Sequence, residues 1–352
     1  MIPCSHLYLE LTDRCNRRCA YCFQDTALRR TRDLPREEAE RVLREFKALG
    51  GRYVTFSGGE PTLWPDWPSL AEFAANLGLV TTLATNGSTL GSHIDVLNRL
   101  RMYVAVSLDA ARPEIHDALR GPDTFAPLHD ALLRISEKGL SEFIILSYTP
   151  CSLNYRELPG LCRLALDLRI PHLSVSVLEQ RFASAAAEPL ALSQGEKVEF
   201  LTQLYLLKRR YAGRLKIGAC NFRGFADRLL DPTYGRSDVI DRTLRVDAHG
   251  RIFLTAYLAA ERFLLGDIGR TPLAEAWGSE QAETAREEAE SALYSRCGAC
   301  DAFRVCQGGS AMLSYQLHGT FSQADDWCEA KLRFLDRLRQ AEHSTAQTGR
   351  GE

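Results

Sequence analysis

From His6 to Val177 the sequence alternates short apolar runs with segments whose apolar residues fall at helical spacing. The runs are His6–Leu11, Tyr53–Phe56, Leu79–Ala84, Tyr103–Ser107, Phe143–Ser147 and His172–Val177. They lack polar alternation, as expected of strands covered on both faces. Between them, Leu34–Gly50, Trp67–Leu77, Ile94–Leu100, Pro127–Lys138 and Arg156–Leu168 read as helices. In the first, Ala39, Val42, Leu43, Phe46 and Leu49 share one face, Pro35 suits the first turn and Gly50-Gly51 ends it. This order predicts a parallel sheet with right-handed crossovers. Six units are too few for a closed eightfold barrel. The expected architecture is α/β: an open, partial (β/α)6 barrel of the TIM type, with ligands at the C-terminal ends of its strands.

The first strand runs into Cys15-Asn16-Arg17-Arg18-Cys19-Ala20-Tyr21-Cys22. No regular helix or strand turns three thiolates onto one centre at that spacing, whereas a loop can. Ferredoxin-type sites hold a [4Fe–4S] cube with four cysteines, so three leave one iron open to a non-protein ligand. A zinc knuckle is the competing reading of a short cysteine cluster, and a plain electron carrier is another.

The Cys-x3-Cys-x2-Cys pattern, with an aromatic before its last cysteine, resembles the signature of the radical S-adenosylmethionine (SAM) superfamily. Downstream, Ser57-Gly58-Gly59-Glu60-Pro61 is similar to that family's second motif. The resemblance implies a partial (β/α)6 barrel and a cluster on Cys15, Cys19 and Cys22. It further implies SAM on the open iron, with Gly58, Gly59 and Glu60 holding the methionine amine. Tyr21 is expected near the adenine. Ser107 and Asp109 follow the fourth strand, where relatives contact the SAM ribose. Arg120, in Leu119-Arg120-Gly121, resembles an arginine that pairs with the SAM carboxylate, for which a guanidinium is well suited. Asn86 ends the third strand, where turn chemistry is the competing explanation. The implied activity is reductive cleavage of SAM to a 5′-deoxyadenosyl radical that abstracts hydrogen from a substrate. An external one-electron reductant of the flavodoxin or ferredoxin type is implied with it.

Past the sixth strand, Ser193-Gln194-Gly195-Glu196 reads as a capping box opening a helix through Tyr211. Residues 1–213 are assigned to the barrel, 214–341 to a small α+β iron–sulfur domain, and 342–352 to a disordered tail. Leu244–Asp247 and Arg251–Leu254 read as a hairpin around Ala248-His249-Gly250, with His249 expected at a solvated tip. Cys297, Cys300, Cys306 and Cys328 form a second four-thiolate set, able by spacing to hold zinc or an iron–sulfur cube. The stretch Cys297–Gly309 resembles the SPASM extension of radical SAM enzymes, which normally holds two auxiliary clusters. Here Ser310 and Thr255 stand where that pattern has cysteines. The missing positions belong to the inner cluster, so one auxiliary [4Fe–4S] cluster is expected, serving as electron acceptor, structural cross-link or both. Cys4 and Cys162 read as packing residues, and Cys151 and Cys220 as residues near the site with no assigned role.

The 352 residues carry a net charge of -2. That balance gives no sign of a nucleic-acid or membrane partner. No apolar run has the length of a membrane span, and Met1–His6 lacks the character of a signal peptide. Eleven cysteines without an export signal argue for metal in a reducing, cytoplasmic setting. The substrate expected first is a small natural-product intermediate, of the sugar or aminocyclitol type, undergoing net dehydrogenation. The alternative is a ribosomal peptide that is cross-linked or epimerised. The first is preferred because the barrel's first strand begins at residue 6, with no leader-binding domain before it. A non-catalytic iron–sulfur protein is the third reading.

Overall fold

The computed structural model describes residues 4–22, 32–178, 189–219, 224–235, 240, 242–256 and 261–348, with the backbone alone for 342–348. Within them one ten-stranded sheet organises the chain. Its strands are β1 (His6–Thr12), β2 (Tyr53–Gly58), β3 (Val80–Thr85), β4 (Tyr103–Ser107), β5 (Ile144–Tyr148), β6 (His172–Val175), β7 (Lys216–Ala219), β8 (Thr243–Val246), β9 (Arg251–Phe253) and β10 (Leu264–Asp267). They lie in the order β10-β9-β8-β1-β2-β3-β4-β5-β6-β7. Every pair from β8 to β7 is parallel, and β9 and β10 add an antiparallel edge. β7 and β8 occupy opposite ends of the parallel run, so the barrel is open.

Helices follow the strands as the alternation predicts. They are α1 (Arg36–Ala48), α2 (Trp67–Asn76), α3 (Ile94–Leu100), α4 (Pro113–Arg120), α5 (Phe125–Glu137), α6 (Leu158–Asp167) and α7 (Gln194–Arg210). Leu7, Leu9 and Leu11 of β1, Val54 and Phe56 of β2 and Val104 and Val106 of β4 are buried in the layer beneath the helices. Their partners there include Val42, Leu43, Phe46 and Leu70. The opposite strand faces carry mostly small or polar residues, such as Glu10, Ala84 and Ser147, so the strands alternate where runs covered on both faces were expected. Ser107, Ser147 and Ser174 stand in register across β4, β5 and β6, all half-buried. The capping box at α7 is present with both of its bonds: Ser193 Oγ accepts from the Glu196 N–H, and the Ser193 N–H donates to Glu196 Oε2.

The remaining helices are α8 (Phe225–Leu230), α9 (Leu273–Trp277), α10 (Glu280–Cys297), α11 (Phe303–Cys306), α12 (Ala311–His318) and α13 (Cys328–Thr348). The expected hairpin forms as β8 and β9, and β8 also pairs with β1, which hairpin patterning alone does not reveal. Because β7 continues the sheet past Gly213, the division placed there falls inside the sheet. The C-terminal segment also docks on α7: Lys197 Nζ donates to the Asp326 carbonyl at 2.9 Å, and Phe200 meets Trp327 edge-on. α13 continues the backbone through Thr348, so the stretch assigned to a tail starts inside a helix, while 349–352 lie outside the described residues. Cys220 also lies outside them.

Candidate active site

The C-terminal ends of β1, β2, β3 and β4 bring the N-terminal motifs together. The strand end of β2 approaches the cysteine loop backbone to backbone. The Gly59 N–H donates to the Thr12 carbonyl at 2.8 Å, and the Glu60 N–H to the Arg14 carbonyl at 2.7 Å. A Cβ at Gly58 would lie 2.2 Å from the Thr12 oxygen, and one at Gly59 2.2 Å from the Arg14 oxygen. Gly58 also has φ +133°, where a side chain is strained. The two glycines are thus required by a close approach that presses the cysteine loop onto the sheet.

Glu60 is fully buried. Its carboxylate accepts from the Thr62 N–H, the Thr62 hydroxyl, the Thr85 hydroxyl at 2.7 Å and the Asn86 N–H at 2.7 Å. It therefore holds the ends of β2 and β3 as one unit, and its oxygens are taken up by the turn. Asn86 does more than shape a turn. Its side-chain amide donates to Asn16 Oδ1 at 2.9 Å and reaches Cys15 Sγ at 3.9 Å.

Asp109, Tyr21 and Arg120 form a second buried group. The Tyr21 hydroxyl and Arg120 Nε both donate to Asp109 Oδ2, and the Thr149 N–H donates to Oδ1 at 3.2 Å. Arg120 stacks over the Tyr21 ring at 5.1 Å, and another of its nitrogens lies 3.8 Å from Cys19 Sγ. Asp109 is fully buried, and its carboxylate holds Tyr21 and Arg120. Ser107 half-faces the barrel interior with the serine row. Burial pushes the Tyr21 phenol well above its ordinary pKa, and the Asp109 charge adds to that.

Sequence reading missed the layer behind these groups. His116, on α4, accepts the Asp109 N–H at Nδ1 (3.3 Å), and burial pulls its pKa down to about 4. Asn154 donates to the Asp109 carbonyl at 2.9 Å. The available signal was Pro113, a good first helical residue, which sets His116 and Arg120 four apart on one face. Cys151 and Tyr21 share a small apolar cluster with Leu119, Leu178 and Leu190. Cys151 is buried, its thiol pushed up to about 11. Cys4 and Cys162 are core residues whose thiols burial pushes up to about 12. His249 is not at a solvated tip: its Nε2 lies 3.4 Å from Asp13 Oδ2, against the start of the cysteine loop.

The other four cysteines meet elsewhere. Cys297 ends α10, Cys300 lies in the turn beyond it, Cys306 ends α11 and Cys328 begins α13. All four line one cleft that opens to solvent. Gly308 and Gly309, both at positive φ, close its wall. Ser310, where a cysteine was expected by resemblance, caps α12 through the Leu313 N–H at 3.2 Å. Thr255, the other such position, is fully buried. Among the described residues no three His, Cys, Asp or Glu side chains close on the point one ion would occupy. Four thiolates around one cleft can hold either a zinc ion or an iron–sulfur cube. The donor set in both places, thiolates spaced around a cleft or loop, fits a cube.

An open parallel barrel with a three-cysteine loop and a Gly-Gly-Glu turn at its strand ends defines a class of enzyme. The Radical SAM superfamily model matches residues 9–165, so the chain carries a radical SAM domain followed by a C-terminal extension. It is similar to an AdoMet-dependent heme synthase of Methanosarcina barkeri, 26% identical over 91% of this chain and 94% of that protein. It is also similar to the mycofactocin maturase MftC of Mycobacterium ulcerans, 26% identical over 85% of this chain and 81% of that one. A third match, 31% identical to the Fe-coproporphyrin III synthase of M. barkeri, spans only 41% of that protein. Among solved structures, native anSMEcpe with bound AdoMet and Cp18Cys peptide has a TM-score of 0.78 at 18% identity, covering 97% of this chain and 99% of that one. That likeness concerns the fold. No helix among the described residues is long and apolar enough to cross a membrane.

Proposed function

We propose that the chain modifies a peptide by radical chemistry, with one cluster on Cys15, Cys19 and Cys22 and a second on Cys297, Cys300, Cys306 and Cys328. The observation that carries the site assignment is the buried Tyr21–Asp109–Arg120 group. It locks a guanidinium beside Cys19 on one side of the cysteine loop, while Glu60 and Asn86 brace the other. When bound, SAM and the first cluster supply a carbon radical able to take hydrogen from an unactivated carbon, and the second cluster supplies one-electron transfer. Arg120 would receive the SAM carboxylate, with Asp109 fixing its plane. Gly58, Gly59 and the Glu60 turn would line the amine, Tyr21 would pack near the adenine, and Ser107 would face the ribose. The apolar cluster around Tyr21 and Cys151 would keep water from that side.

The peptide assignment replaces the sugar or aminocyclitol expectation, because a maturase aligns along most of the chain. The hydroxyls of Ser147 and Ser174, in register on neighbouring strands, support it: short neutral donors and acceptors suit amide groups. A structure of similar fold, native anSMEcpe, holds AdoMet and a peptide together. The heme synthase match favours a tetrapyrrole as the second reading. An external flavodoxin- or ferredoxin-type reductant is part of the proposal.

Two measurements test it. After anoxic reconstitution, the wild type should hold about eight irons and the Cys15→Ala, Cys19→Ala, Cys22→Ala variant about four, the content of one cube. With dithionite and SAM, 5′-deoxyadenosine release should rise on adding a peptide encoded beside the gene, with a mass change in that peptide. Stimulation by an iron porphyrin precursor alone would overturn the peptide substrate.

A further inference from the structure

We infer that Arg296 and Lys331 raise the reduction potential of the cluster held by Cys297, Cys300, Cys306 and Cys328. This rests on the second-cluster reading above and asks what surrounds that site. Arg296 immediately precedes Cys297, and its Nε donates to Cys297 Sγ at 3.3 Å. Its other nitrogens donate to the carbonyls of Phe321 (2.7 Å), Gln323 and Gly308 (2.9 Å). Four anchors leave the guanidinium no freedom to swing away from the sulfur.

Lys331 approaches from α13, three residues after Cys328. It is 1% exposed and lines the same cleft as the cysteines. Its Nζ lies 3.4 Å from Asp325 Oδ2, the one carboxylate among the described residues that line that cleft. The Asp325 charge is already shared with two backbone donors, the Ser310 N–H at 2.7 Å and the Trp327 N–H at 3.1 Å. Two cations thus face the cysteine set against one carboxylate that three groups compete for. The N-terminal site differs: Arg120, near Cys19, is neutralised by the fully buried Asp109.

A cube with four thiolates gains negative charge on reduction. Net charge around it, hydrogen bonds to its sulfurs and its exposure set its potential. A guanidinium on a ligand sulfur and a buried ammonium both favour the reduced form, and burial strengthens the effect through the low local dielectric. Arg296 and Lys331 would therefore make this cluster a better electron acceptor than it would be without them.

The test is a mediated redox titration, read by electron paramagnetic resonance, on the full chain carrying Cys15→Ala, Cys19→Ala and Cys22→Ala, so that only the C-terminal cluster contributes. Iron is counted first in that parent. No iron there removes the second-cluster reading and the inference with it, before any charge is changed. With iron present, Lys331→Met and Arg296→Gln should each make reduction at least tenfold less favourable, a fall of about 59 mV for one electron. Lys331→Arg should stay near the parent. Unchanged midpoints with iron intact would overturn the inference. Should Lys331→Met lose its iron by stranding Asp325, Arg296→Gln carries the same expectation. Iron lost from both would make the two residues supports of the loop and overturn a tuning role.

Discussion

At the scale of single residues, the site depends on groups that touch other protein groups. Asp109 holds Tyr21 and Arg120 while itself fully buried, and Arg120 is only 14% exposed at its side chain. Removing one partner of a buried pair leaves an uncompensated charge, typically worth about 3–5 kcal/mol. Asp109→Asn should therefore destabilise the fold by about 3 kcal/mol in chemical denaturation and weaken SAM binding. Tyr21→Phe, which deletes one hydrogen bond and keeps the ring, should cost about 1 kcal/mol. An Asp109→Asn protein as stable as wild type would show that the pair does not hold the site. The residues that sequence made legible here are those in motifs: the three cysteines, Gly58-Gly59-Glu60 and Arg120. What it did not show is that Asp109 and Glu60 turn their carboxylates inward. Motif spacing says which residues meet and carries no information on where their lone pairs go.

At the scale of elements, α4 is the piece the apolar periodicity left out. It is eight residues long, and its buried residues, His116 and Leu119, are too few to make a helical stripe. Its position matters, since His116 and Arg120 brace Asp109 from one face. His116 is buried as the neutral form, with a pKa of about 4 against 6.5 when unfolded. Between those values the unfolded chain takes up the proton that the folded chain refuses. Stability is thus complete above about pH 6.5 and is lost as pH falls towards 4. A shift of that size is worth up to about 3 kcal/mol. His116→Leu should flatten the decline in denaturation midpoint between pH 7 and pH 5, and an unchanged slope would show that His116 does not carry it. The long elements were legible because they obey one period: α1, α3 and α7 fall within two residues of their expected ends. β8 was legible as a strand but not as the neighbour of β1, because parallel pairing over more than 230 residues leaves no local mark.

At the scale of the whole molecule, the barrel and its extension share one sheet. The Ser5 and His6 N–H groups donate to the Arg242 carbonyl, and Glu10 on β1 pairs with Arg245 on β8 at 2.9 Å. Lys197 and Phe200 of α7 hold the segment before α13. A fragment ending at Gly213 would lack β7 and β8 and expose both edges of the remaining parallel strands. Unpaired edges of that kind template association. Residues 1–213 should aggregate on expression, whereas residues 1–256, which restore β7, β8 and β9, should show less. A monodisperse 1–213 fragment, seen by light scattering, would contradict the shared-sheet account.

The pairing of β1 with β8 also has a consequence in time. The cysteine loop emerges from the ribosome early, directly behind β1, while Thr243–Val246 follows more than 230 residues later. At about 5–20 residues per second, that interval lasts roughly tens of seconds. Throughout it, β1 has one open flank beside the three thiols of the cysteine loop. The nascent chain therefore passes through a stage when that loop is most open to iron and to oxidants. Restricting iron during translation should lower the iron found per purified chain more than restricting it afterwards.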